Sequence, residues 1–157
     1  TGTRADFGKL KSIIKITKND NKFDTFLAIT GMHMLPKYGN TYTEVEKNFK
    51  SKIIKFSNQS SGDSLELILN NTIKKFSAVV KKIKPDLIII HGDRVECLAC
   101  AIVGSLNHIL TAHIEGGEVS GTIDEMIRHS VSKMSHIHLV SNTLVLIVFC
   151  MLSRFLL

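Results

Sequence analysis

The sequence predicts an α/β fold built on a doubly wound parallel sheet. Three observations predict it. Short β-branched apolar runs alternate with helix-length segments along most of the chain, the pattern of repeated βα units with right-handed crossovers. One run, Leu87-Ile88-Ile89-Ile90, is wholly apolar, as strands covered by helices on both faces are. Polar, glycine-containing clusters directly follow such runs, where open α/β sheets bind their ligands.

The elements follow in order. Residues 7–18 read as a helix with Leu10, Ile13 and Ile14 on one face. Residues 24–30 carry a strand pattern, and residues 31–40, with Pro36 and Gly39, read as a loop. Residues 42–49 suit a short helix and residues 52–57 a strand. The clearest helix carries Leu65, Ile68, Leu69, Ile73, Phe76, Val79, Val80 and Ile83 at helical spacing. Ser61 or Asp63 suits its N-cap. Pro85 stops it, because the residue before a proline is pushed out of the helical region. Strands are then expected at 86–91, 109–114 and 137–140, with helices at 94–106 and 123–134. No internal repeat, low-complexity stretch or linker interrupts them.

A length of 157 residues fits one domain, long enough to bury a core without disulfides or metal. The net charge of +6 suits either an anionic partner or solvated helix faces. The lysines are scattered over several expected helices, there is no tryptophan, and no basic-aromatic interleaving occurs. These features argue against a nucleic-acid partner. Three cysteines, Cys97, Cys100 and Cys150, show no disulfide spacing, so the chain reads as reduced and intracellular, with a cytoplasmic location expected. Cys97 and Cys100 sit in an apolar helix, where packing explains them better than zinc or redox chemistry. No secretory signal opens the chain.

Both ends are unusual. Thr1-Gly2-Thr3-Arg4 reads as a turn leaving a strand. Leu144 to Leu152 is nine apolar residues in a row. That is short of the ~20 residues of a membrane span, and it lacks the polar face of a surface helix. The expectation is a segment, residues 143–157, that departs from its ancestral sequence, as after a frameshift. A tail that touches a membrane without stably spanning it is the alternative.

Four polar clusters are expected on one edge of the sheet. They are Thr1 to Asp6, His91-Gly92-Asp93-Arg94, His113-Ile114-Glu115-Gly116-Gly117-Glu118, and the helix opening with Asp124, Glu125 and Arg128. Arg4 and Arg94 suit a phosphate, which guanidinium forks bind bidentately, and helix N-termini add N–H donors. Asp93, Glu115 and Asp124 suit proton transfer. Each cluster taken alone also fits blander roles. Asp and Gly after a strand are ordinary turn residues, Asp124 suits a helix start, and His91 and His113 suit satisfied structural histidines. Neither a metal-ligand spacing nor a GxGxxG or P-loop motif is present.

The segments TGTRADFGKL, HGDRVECLACA and HIEGGEVSGTIDEMIRHSVSKMSHIHLVSN together resemble the hydrolysing UDP-N-acetylglucosamine 2-epimerases of sialic-acid and related nonulosonic-acid pathways. GMHMLPKYGNTYTEVE resembles the family's loop and helix. The likeness runs from Thr1 to about Asn142. It implies the incomplete N-terminal, Rossmann-like half (residues 1–142) of a two-domain, GT-B-type architecture, with its first strand missing before Thr1 and the C-terminal UDP-binding domain absent. It implies a UDP-sugar substrate, no metal or nicotinamide cofactor, and a possible homo-oligomer of the family type. Residue by residue, Asp93, Glu115 and Asp124 fall at the family's catalytic carboxylate positions. Arg4, Arg94 and Gly8 (a position where relatives accommodate serine) fall at nucleotide-contacting ones, with His91 and His113 beside them. The implied reaction eliminates UDP and hydrates the resulting glycal to N-acetylmannosamine. The expectation for this length of chain by itself is inactivity. An epimerase for another UDP-N-acetylated hexosamine and a non-catalytic interaction module remain as alternatives.

Overall fold

The computed structural model describes residues 1–49 and 52–141; the expected apolar tail lies outside the described residues. The chain forms two compact units, Thr1–Ser64 and the residues from Leu65 onward. Each has a parallel sheet of its own, two strands in the first and three in the second. The α/β class with parallel strands is therefore as the sequence indicates.

The first unit opens with helix α1, Arg4–Asn19. It begins three residues earlier than its apolar periodicity indicates. The cause is a capping box: the Thr3 hydroxyl accepts from Asp6 N at 3.2 Å, and the Asp6 carboxylate accepts from Thr3 N at 3.0 Å. Strand β1, Leu27–Ile29, pairs in parallel with β2, Ile53–Lys55. Both strands are shorter than their sequence patterns. Between them lie two 3-10 turns, Gly31–Met34 and Pro36–Tyr38, and helix α2, Tyr42–Asn48. Phe7, Leu27, Ile29, Val45 and Phe49 form the core of this unit.

The opposite edge of β1 carries one further parallel rung. The Thr1 ammonium donates to the Ala28 carbonyl at 2.7 Å, and Thr30 N donates to the Thr1 carbonyl at 3.1 Å. Thr1 thus occupies the place of the last residue of a neighbouring parallel strand, in line with the reading of its first residues as a strand exit.

The second unit starts with helix α3, Leu65–Ile83, followed by β3, Leu87–His91; α4, Val95–Leu106; β4, Leu110–Ile114; α5, Ile123–Lys133; and β5, Ile137–Leu139. The strands run in the order β3-β4-β5, all parallel, with His91 beside Ile114 and Ile114 beside Leu139. Helix α4 packs on β3 and β4, and α3 and α5 pack against α4. The approach is close. A Cβ on Gly104 would fall 2.5 Å from Thr111 Oγ1 and 3.3 Å from Ile88 Cδ1, so only glycine fits there.

β3 departs from the expectation of burial on both faces. Ile88 and Ile90 are buried beneath the helices, whereas Leu87 and Ile89 are 39% and 40% exposed. The alternation follows from the period-two geometry of a strand: among the described residues, helices of this unit cover one face only.

Candidate functional site

The second unit gathers its polar side chains at the carboxyl ends of β3 and β4. The two strands end in step, and Gly92 N donates to the Ile114 carbonyl at 3.0 Å. His91, the last residue of β3, is buried, with its Nε2 3.2 Å from Glu115 Oε2. Glu115 has a left-handed backbone, φ +59°. Non-glycine residues adopt that conformation at a cost of roughly 1 kcal/mol or more. Two features hold it there: Glu115 N donates to the Leu139 carbonyl at 2.9 Å, and the chain turns sharply into Gly116-Gly117.

Asp93 forms an ion pair with Arg128 of α5. The arginine is 7% exposed and also donates to the Glu118 carbonyl at 2.6 Å. One guanidinium therefore ties the loops after both strands to the same helix. The buried cation is satisfied by an opposite charge and a carbonyl together. Asp93 faces a guanidinium and Glu115 an imidazole, so the site is not a crowd of bare carboxylates.

His113 is fully buried. Its Nε2 lies 2.8 Å from the Gly92 carbonyl and its Nδ1 2.9 Å from Ser132 Oγ. A carbonyl only accepts, so Nε2 carries the proton and Nδ1 accepts from the serine. Burial pushes the pKa of the ring down to about 4, with the neighbouring His138, His91 and Arg128 acting in the same direction against the Gly92 bond. This histidine stays neutral near pH 7.

The loop from β4 to α5 is fastened by Glu125, which accepts from Gly121 N at 2.5 Å and Ser120 N at 2.7 Å. The Gly121 bond, then the Ser120 bond, holds its carboxyl below the usual carboxylate range. Asp124 stands exposed on the first turn of α5. Arg94 folds back on Glu96, with contacts of 3.1 and 3.3 Å. The Cys97 thiol donates to the His91 carbonyl at 2.9 Å, and burial pushes the Cys100 thiol up to about 12, so both cysteines act as packing groups.

The remaining expected site residues belong to the first unit. Arg4 is largely exposed and pairs with Glu44 of α2 at 2.8 Å. Gly8 is exposed on α1, and a Cβ added there would meet nothing within 4 Å, which is room for a serine. This unit also holds a buried histidine that the sequence did not single out. His33 Nδ1 lies 2.8 Å from Thr41 Oγ1 and its Nε2 3.1 Å from Thr1 Oγ1. Burial first, and then the N-terminal ammonium, lower its pKa. Ser132 and His33 give no signal in the sequence because each gains its role from a partner in another element. Arg128 is visible there only as part of a charged helix start.

Taken together, the described residues near β3 and β4 offer two carboxylates of fixed orientation, a buried guanidinium and a neutral imidazole. Such a set can move a proton at a bound substrate. Among the described residues, no group of three or more His, Cys, Asp or Glu side chains is arranged to hold a metal, and no helix is long and apolar enough to cross a membrane.

Comparison with known proteins gives a consistent family. Residues 15–145 match the model of the UDP-N-acetylglucosamine 2-epimerase family. A UDP-N-acetylglucosamine 2-epimerase of Neisseria meningitidis serogroup B is 51% identical over 142 residues, covering 90% of this chain and 38% of that protein. A GDP/UDP-N,N'-diacetylbacillosamine 2-epimerase (hydrolyzing) of Campylobacter jejuni is 39% identical, again over 90% of this chain and 38% of the relative. Among solved structures, a Neisseria meningitidis UDP-GlcNAc 2-epimerase bound to UDP-GlcNAc superposes with a TM-score of 0.85 at 23% identity, covering 97% of this chain and 41% of the other. A Methanocaldococcus jannaschii UDP-GlcNAc 2-epimerase in complex with UDP-GlcNAc and UDP gives 0.83 at 22% identity, with 96% and 41% covered. The structural matches carry the fold, and the chain spans about two-fifths of the length of the relatives it matches. On the family match and the sequence identity, the chain belongs to the UDP-N-acetylglucosamine 2-epimerase family.

Proposed function

We propose that this chain contributes the proton-transfer side of a hydrolysing UDP-N-acetylglucosamine 2-epimerase. The observation that carries the reading is the placement of Asp93 and Glu115 at the ends of adjacent parallel strands, each set against a basic group. In the proposed reaction a base takes the proton from C2 of the sugar, the C1–O bond to UDP breaks, and a C1–C2 double bond forms. Water then supplies hydroxide to C1, and a proton returns to C2 on the opposite face, giving N-acetylmannosamine. Asp93, Glu115 and Asp124 are the carboxylates that serve these proton transfers. Of the second unit's residues Arg94 and His91 line the substrate, whereas His113 is fully buried and does not; Arg4 and Gly8 are the nucleotide-contacting candidates of the first unit. No metal or redox cofactor enters this scheme.

A second substrate is favoured by a specific observation. Relatives named for UDP-N,N'-diacetylbacillosamine are 36% and 39% identical over nine-tenths of this chain. The test is a chimera in which residues 1–141 replace the matching part of the meningococcal relative, assayed with both sugar nucleotides. Release of N-acetylmannosamine from UDP-N-acetylglucosamine, with a loss of about a hundredfold or more in Asp93→Asn or Glu115→Gln, is the expected result. A chimera active only on the diacetylated sugar would move the assignment to that substrate. Full activity in both carboxylate variants would overturn the proton-transfer role.

A further inference from the structure

We propose that Ser132 and His113 form a buried latch that positions Asp93, acting through the Gly92 carbonyl and in concert with Arg128. The inference rests on the proton-transfer reading above, and it assigns a role to two residues that do not themselves meet substrate.

The geometry is continuous from α5 to the end of β3. Ser132 Oγ donates to His113 Nδ1, and His113 Nε2–H donates to the carbonyl of Gly92, the residue before Asp93. Gly92 is held from its other side as well, since its N–H bonds the end of β4. Both of its backbone groups are thus fixed, and the direction in which Asp93 leaves β3 is fixed with them. Arg128 lies one helical turn before Ser132 and binds the Asp93 carboxylate itself. Positions four apart share a helix face. One face of α5 therefore grips the Asp93 loop twice, at its main chain through His113 and at its side chain through Arg128.

Two observations show that the latch is tightly built. Ser132 is 2% exposed and His113 fully buried, so water does not substitute for either partner. A Cβ on Gly116 would lie 2.7 Å from both His113 Nδ1 and Ser132 Oγ, so the turn after Glu115 closes directly over the serine–histidine bond. That contact links the conformation of Glu115's own turn to the same latch. The charged and titratable groups acting on His113 are His91 of β3, His138 of β5 and Arg128 of α5; all disfavour a second proton and leave the single tautomer that the Gly92 carbonyl requires.

The test is NMR on the full chain. In the wild type, imidazole 15N shifts should report His113 as the Nε2–H tautomer, and the Arg128 guanidinium protons should exchange slowly. Ser132→Ala strands Nδ1 without a donor in a buried site, which should speed exchange of the Gly92 amide, bonded to the Ile114 carbonyl, and of the Arg128 guanidinium by about tenfold or more. Amides in the middle of β3 and β4, at Ile89 and Ala112, should keep their rates. His113→Gln, whose amide N–H can reach the Gly92 carbonyl, should stay closer to the wild type than His113→Ala. Uniform acceleration across the sheet would mean that the pair is only structural, and unchanged exchange at Gly92 and Arg128 would mean that it positions nothing; either result overturns the proposal. None of these readouts needs turnover, so a failure of the proposed reaction registers separately, in the chimera assay.

Discussion

At the scale of single residues, the burial of neutral histidines gives this protein a defined response to acid. His113 has a folded-state pKa near 4, against a usual value of 6.5, so the unfolded chain binds a proton that the folded chain refuses. The stability it contributes is fully present above about pH 6.5 and is lost as pH falls toward 4. The difference amounts to about 3 kcal/mol by the usual conversion of pKa shift to free energy. His33 and His138, both lowered chiefly by burial, act with the same sign. Denaturant unfolding between pH 7 and pH 4 should show stability falling with acid, and the fall should be shallower in His113→Gln. Equal slopes in the two proteins would show that His113 does not titrate across this range. The carboxylates at the same site were legible as residue types after apolar runs. Their basic partners were not, because Arg128 is 35 residues from Asp93 in sequence and His91 is 24 from Glu115; nothing local pairs them.

At the scale of elements, the strongest local signals were the apolar stripes of the long helices and the β-branched runs of the strands. α3 ends where Pro85 requires, and β3 and β4 lie within one residue of their expected starts. Element ends were harder to place, because caps and turns decide them and apolar spacing does not. α1 illustrates this: Thr3-x-x-Asp6 adds a turn ahead of the helix's first buried residue, Phe7. Replacing Thr3 by alanine removes one half of the box and should destabilise the chain by about 1 kcal/mol in chemical denaturation. Helicity should be lost first around Arg4 to Asp6. A change within about 0.3 kcal/mol would mean that packing of Phe7 and Leu10 alone holds the first turn in place.

At the scale of the whole molecule, the chain forms two compact units, Thr1–Ser64 and the residues from Leu65 onward. The chain also spans only 38% of the length of a relative that is 51% identical to it. A ligand held by a partial set of contacts loses affinity steeply, since each lost charge-assisted hydrogen bond is worth roughly 1.5–3 kcal/mol. The 157-residue chain on its own should therefore bind UDP weakly and release no N-acetylmannosamine; calorimetry and a product assay check this, and sub-micromolar binding would refute it. By itself, the sequence determined the α/β class, the parallel sense of the strands by its βα alternation, and the family, because hydrophobic periodicity and a long unbroken motif are local properties of a chain. Only the tertiary structure decided which base stands against which carboxylate, that Arg128 and Ser132 share one gripping face of α5, and that His113 is a neutral donor. Those facts depend on distances between residues far apart in sequence, and on burial, which exists only once the sheet and helices have packed.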